Sequence, residues 1–95
     1  MVYKLLIEKK ALKRLKNLKR ERKIYAQLVE KIFSLLENPY PQDVKRIRGY
    51  KEEFLRVDSG EYRIVYRVSE EEKTIYVILI EKRNDDEVYK ILKNL

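Results

Sequence analysis

The chain has 95 residues, with 23 Lys+Arg against 16 Asp+Glu for a formal net charge of +7, and 44% of its residues are hydrophobic. That length suits a single domain, residues 1–95, able to bury about two-thirds of its unfolded surface. With neither Cys nor His, disulfides, zinc fingers, thiol nucleophiles, imidazole bases and most transition-metal sites are excluded, so any chemistry rests on Arg, Lys, Tyr, Asp, Glu, Ser or Thr.

Val2, Tyr3, Leu5, Leu6 and Ile7 form an apolar run too short for a helix and rich in strand formers, which predicts a first strand. Leu12, Leu15 and Leu18, with Ala11 beside them, recur at helical spacing and predict a helix over about residues 9–19. From about 21 to 37, Ile24, Leu28, Ile32 and Leu35 share one stripe, and Tyr25, Val29, Phe33 and Leu36 the stripe beside it. So broad an apolar face calls for a sheet to cover it. Pro39 and Pro41 disfavour helical geometry at the residues before them and end this helix.

Extended segments follow at Val44 to Arg48, Glu53 to Asp58, Glu61 to Ser69 and Thr74 to Lys82. In the third, Tyr62, Ile64, Tyr66 and Val68 point one way, and Arg63, Val65 and Arg67 the other, as in a half-buried strand whose second face is basic. Asp58-Ser59-Gly60-Glu61 and Glu70-Glu71-Glu72-Lys73 are the expected hairpin connections. Asn84-Asp85-Asp86-Glu87 reads as a helix start, with Val88, Tyr89, Ile91, Leu92 and Leu95 in the short last helix. The order is that of an α+β domain: an N-terminal strand and a helical hairpin packed on one face of a twisted, mainly antiparallel sheet, then a C-terminal helix.

The positive charge is concentrated. Residues 1–50 carry 14 basic and 5 acidic side chains, residues 51–95 carry 9 and 11, and residues 9–23 alone hold nine Lys or Arg against Glu21. Lys9, Lys10, Lys13, Lys16, Lys19, Arg20 and Lys23 therefore form a candidate surface for a polyanion, with a solvated helix face as the plainer alternative. RNA or DNA fits better than a membrane, because the stretch holds no Trp or Phe anchor. No apolar run approaches the roughly 20 residues needed to cross a bilayer, and Met1-Val2-Tyr3-Lys4 starts no signal peptide. A soluble cytoplasmic protein is expected. The carboxylate pairs Glu52-Glu53 and Asp85-Asp86 are sequence neighbours that point apart, so neither a metal nor another cofactor is expected.

Arg56, Arg63, Arg67 and Arg83 fall in or at the end of predicted strands, where a charged side chain is expected to reach solvent on the face opposite the helices. On the residues alone these arginines are either a solvated face paired with Glu53, Asp58, Glu61 and Glu81, or a phosphate site, since the guanidinium fork matches phosphate oxygens.

Arg48-Gly49, then Gly60-Glu61-Tyr62-Arg63-Ile64-Val65-Tyr66-Arg67, then Glu81-Lys82-Arg83 and Val88-Tyr89 resemble, in order and spacing, the RelE-type toxins of toxin–antitoxin pairs. The likeness extends over essentially the whole chain. It implies a microbial-RNase-like fold and a metal-independent mRNA interferase that cuts messenger RNA in the ribosomal A site, held in check by an antitoxin protein. By the same resemblance Arg63, Arg83 and Tyr89 match catalytic positions, and Arg56 stands where the family often carries Lys. Asp58 and Asp85 depart from the pattern by adding negative charge beside the proposed site.

Cleavage through the RNA 2′-hydroxyl needs a proton acceptor, cations for the phosphorane charge and a donor for the 5′-oxygen. Arg56, Arg63 and Arg83 supply cations. Tyr89, the base the resemblance places beside them, has an ordinary phenol pKa near 10 that suits neutral pH poorly. Such a site should be slow on free RNA, and a ribosome that orients the 2′-hydroxyl in line could contribute several kcal/mol. Two rival functions are a ParE-type gyrase poison without nuclease activity and a non-catalytic RNA-binding module.

Overall fold

The computed structural model describes residues 2–83. Local sequence signals become β1 (Lys4–Ile7), α1 (Lys9–Asn17), α2 (Arg22–Glu37), β2 (Lys45–Ile47), β3 (Phe54–Ser59), β4 (Tyr62–Ser69) and β5 (Thr74–Lys82). The predicted last helix and Tyr89 lie outside the described residues.

The five strands form one sheet in the order β1-β5-β4-β3-β2. After β1 the chain runs through both helices to the far edge of the sheet, then returns by an antiparallel meander until β5 lies parallel to β1. Backbone bonds from Lys4 N to the Lys73 carbonyl (2.7 Å) and from Glu8 N to the Val77 carbonyl (2.9 Å) frame that pairing. The parallel partner of β1 is a long-range feature that no local pattern announced.

Both helices bury their apolar stripes on one sheet face. Leu15, Leu18, Leu28, Ile32, Leu35 and Leu36 meet Leu55, Val57, Tyr62, Ile64, Tyr66, Ile75, Val77 and Ile80 in one cluster. Each fully buried aliphatic side chain here contributes about 1.5–3 kcal/mol relative to exposure. Tyr66 is wholly buried and donates its hydroxyl to the Pro39 carbonyl at 2.7 Å, tying the break after α2 to the sheet. The second stripe of α2 is covered only in part, for Phe33 remains 51% exposed.

The opposite face differs from the open basic surface expected of it. Ile47, Phe54, Val65, Ile78 and Leu79 form a second buried cluster, with Tyr50 and Tyr76 packed against it. A register shift produces part of this: Val65 faces Leu79 but Tyr66 faces Val77, so Ile78 is an extra residue in β5. Such a bulge breaks the strict alternation and turns the neighbouring residues Ile78 and Leu79 to the same side.

At one end of the sheet, Glu70 accepts hydrogen bonds from Tyr3 (2.8 Å), Tyr40 and Lys73 (3.1 Å), tying β1, the loop after α2 and the β4–β5 turn together. Those bonds, led by the one from Tyr40, hold its carboxyl at about 2. A carboxylate with a lowered pKa stabilises the fold fully above its unfolded value of about 4.3, and that contribution is lost as pH falls through the folded value. Thermal melts of wild type and Glu70→Gln should therefore differ most at neutral pH, with wild type higher, and converge between pH 4.5 and 2. Parallel curves over that interval would show that the knot does not hold the sheet end.

Candidate active site

The β3–β4 hairpin sets the geometry. Ser59 pairs with Tyr62 across a two-residue turn, and Gly60 takes φ +60°, the left-handed value such a turn requires of its first residue. Strand register then puts Asp58 opposite Arg63, and Arg63 opposite Glu81 on β5. Just beyond β5, the Arg83 amide donates to the Glu61 carbonyl at 2.9 Å, which fixes the start of the Arg83 side chain against the hairpin.

These pairings bring two arginines to one carboxylate. Arg63 Nε lies 3.3 Å from Asp58 Oδ1, and Arg83 Nε lies 3.3 Å from Asp58 Oδ2. Arg83 Nη1 also donates to the Gly60 carbonyl at 3.4 Å. The three side chains differ in exposure: 14% for Arg63, 38% for Asp58 and 52% for Arg83. Arg63 is thus mostly buried rather than solvent-facing, because it lies on β4 between Asp58 of β3 and Glu81 of β5. Beside it opens a shallow depression of about 440 Å³ lined, among the described residues, by Glu61, Arg63, Lys82 and Arg83.

Arg56 lies on β3, half-buried, on the same face as Asp58 and two residues before it, but it does not line this depression. Arg67 is engaged elsewhere. Its guanidinium stacks 3.9 Å from the Tyr76 ring centroid and lies 3.8 Å from Glu52, so it belongs to the packing of the sheet face. Part of the ion-paired alternative is therefore realised, with Arg46–Glu53 (2.9 Å) a further pair on the β2 side.

The basic N-terminal surface adjoins this cluster. Lys9, Lys10, Lys13 and Lys16 project from α1, Lys19 and Arg20 stand in the turn after it, and Lys23 lies in the first turn of α2; all seven are exposed. Arg14, on α1, forms an ion pair with Glu81, whose side chain is only 12% exposed. Since Glu81 faces Arg63 across the β4–β5 ladder, the α1 surface and the arginine cluster are joined through adjacent side chains. Sequence reasoning counted Arg14 only among the basic residues of 9–23, and named Lys82 and Glu61 only within the matching pattern, with Glu61 also a possible ion-pair partner. A signal for the Asp58–Arg63 contact was nonetheless present, because a two-residue turn at Gly60-Glu61 forces those two positions opposite one another.

With this geometry in view, comparisons with known proteins are specific. Residues 5–87 match the family described as the ParE toxin of the type II toxin–antitoxin system parDE. The chain is 32% identical over 90 residues to the mRNA interferase toxin RelE of Escherichia coli (strain K12), covering 94% of this chain and 92% of that protein. It belongs to the RelE/ParE family of toxins.

Solved RelE structures agree in fold. The RelE–RelB complex of Pyrococcus horikoshii OT3 superposes with a TM-score of 0.76 at 27% identity, over 88% of this chain and 98% of that one. Free E. coli RelE carrying two Arg→Ala substitutions gives 0.74 at 29% identity, over 99% and 97%. Among the described residues two helices pack on a five-stranded mixed sheet, and this fold matches that of the RelE relatives.

Proposed function

We propose that this protein is the toxin of a type II toxin–antitoxin pair, an endoribonuclease that cuts messenger RNA in the ribosomal A site. The observation that carries the reading is the convergence of Arg63 and Arg83 beside an open depression. Two planar cations at one edge suit a phosphodiester whose charge grows in the transition state, where preorganised donors have their largest effect. Similarity to proteins named mRNA interferase RelE supports the same chemistry.

In this mechanism the RNA 2′-hydroxyl attacks the adjacent phosphorus, the 5′-oxygen leaves, and a 2′,3′-cyclic phosphate is formed. Arg63 and Arg83 stabilise the phosphorane oxygens, Arg56 adds positive potential from the neighbouring strand, Tyr89 in its phenolate form accepts the 2′-hydroxyl proton, and the departing 5′-oxygen takes its proton from water. Tyr89→Phe keeps the ring but removes the acceptor, so it should lower cleavage strongly with an unchanged melting temperature. Loss confined to Tyr89→Ala would instead assign the ring a stacking role. Because a guanidinium and an ordinary phenol are weak acid and base at neutral pH, the site depends on the ribosome to align the attacking oxygen. The compartment of action is the cytoplasm, where translation occurs; among the described residues no helix is long and apolar enough to cross a membrane.

An antitoxin completes the reading, supported by solved complexes of RelE relatives with RelB. The described surface offers such a chain a place. β1 is an edge strand, Leu6 on it is 45% exposed, and beside it Leu5, Ile7, Tyr25, Val29 and Phe33 line an apolar groove of about 200 Å³. Hydrogen exchange with and without cognate antitoxin should show new protection at β1, at the arginine face or in the C-terminal segment.

Primer extension on a translated message tests the activity. Cuts should appear within the translated region when the protein is added and vanish when initiation is blocked. The ParE description of the matching family keeps the gyrase reading in the same experiment. Absence of cuts together with inhibition of DNA supercoiling would replace the nuclease with a gyrase poison.

A further inference from the structure

Asp58 is the residue whose place in the fold says more than its charge. By composition it only subtracts from a positive site. In the structure its two carboxylate oxygens contact both arginines, each at 3.3 Å and each through Nε. The two guanidiniums need that contact for different reasons. Arg63 lies within β4 and is enclosed by its neighbours, so packing already limits its rotamers. Arg83 follows the last residue of β5 and is half exposed, so its backbone is held at the Glu61 carbonyl but strand packing does not aim its guanidinium. What holds its guanidinium is Asp58 Oδ2 at Nε and the Gly60 carbonyl at Nη1. Nη2 has no partner among the described residues and is the nitrogen left to meet a phosphate oxygen.

We propose that Asp58 is a positioning residue: its carboxylate gathers Arg83 against Arg63 so that both cations reach one phosphate. This rests on the arginine cluster being the phosphate site. Two guanidiniums drawn to one place repel each other, and an intervening carboxylate offsets that repulsion while orienting both forks. Asp58 can do so because it is paired within the β3–β4 ladder, so its own backbone is fixed. Two arginines and one aspartate sum to a single positive charge, and the Glu61 and Lys82 that also line the depression add one charge of each sign.

The test uses the full chain and ribosomes programmed with a defined message, measuring kcat, KM, binding and melting temperature for wild type, D58N, D58E and R83A. Asn is nearly isosteric with Asp but presents one amide oxygen and an NH2 group that cannot accept from a guanidinium. D58N should lower kcat about tenfold or more through misorientation, while KM and binding stay unchanged or improve because a negative charge has been removed. D58E, which keeps the carboxylate, should restore kcat to within a few-fold of wild type. Adding R83A to D58N should cost much less than R83A costs alone, since Arg83 has already lost its aim. D58S replaces D58N if the latter fails to fold. A D58N enzyme with unchanged or higher kcat would make Asp58 a mere screening charge and overturn the proposal, as would full additivity with R83A. Wild type that cuts no message at all would instead refute the nuclease reading, a result distinct from either.

Discussion

Replacing Arg83 by Ala is expected to lower ribosome-dependent cleavage by at least about 100-fold, the scale seen when one preorganised oxyanion donor is removed. Stability should hardly change, because the side chain is 52% exposed and its pairing with Asp58 is partly screened. Arg63→Ala should cost at least as much activity but also disturb the fold. Its side chain is 14% exposed and hydrogen-bonded to Asp58, so truncation removes a charge-assisted bond worth about 1–3 kcal/mol. In a domain of this size each 1 kcal/mol lowers the melting temperature by about 4–8 °C. Cleavage by the two variants should therefore be read beside their melting curves, at a temperature where both are folded. Near wild-type cleavage by a folded Arg63→Ala, Arg83→Ala double variant would remove this cluster from the mechanism.

Reversing charge on the N-terminal surface should act on binding rather than on chemistry. Lys13, Lys16 and Lys19 are exposed, at or just beyond α1. Replacing all three by Glu takes the formal net charge from +7 to about +1 and reverses the local field. If each lysine neutralises one phosphate of ribosomal RNA, the logarithmic salt slope of binding should fall by about 2–3, and affinity at moderate salt by about 100-fold. Turnover at saturating ribosome should persist, since the reversed residues lie outside the Asp58, Arg63 and Arg83 contacts. Unchanged affinity and salt slope would reduce the basic surface to a solvated helix face.

A further consequence of the Arg14–Glu81 ion pair follows from its position between these two surfaces. Glu81 lies opposite Arg63 in the ladder, so a substitution at Arg14 changes the electrostatic surroundings of the arginine cluster as well as the helix. The variants chosen to test the basic surface therefore leave Arg14 in place.

Much of the fold was legible in the chain because its signals are local. Leu28, Ile32 and Leu35 mark a helix by spacing, Pro39 and Pro41 end it, and Gly60 supplies the positive φ of a two-residue hairpin. The β5 segment from Thr74 to Lys82 could be read to the residue, since the turn before it and the apolar run within it agree. The basic character of residues 9–23 and the absence of His and Cys likewise needed no structure. What required tertiary structure depends on residues far apart in sequence. The parallel pairing of β1 with β5 arises only when the meander returns across the sheet. The second buried cluster depends on the bulge at Ile78, which no residue type signals, and it turned an expected open face into packed surface. Arg63 and Arg67 have the same strand-borne guanidinium, yet one joins Asp58 beside the depression and the other stacks on Tyr76. Sequence determined which charges this protein carries; only the packing of strands decided which carboxylate meets which guanidinium, because the reach of a salt bridge is a few ångströms and chain separation does not measure it.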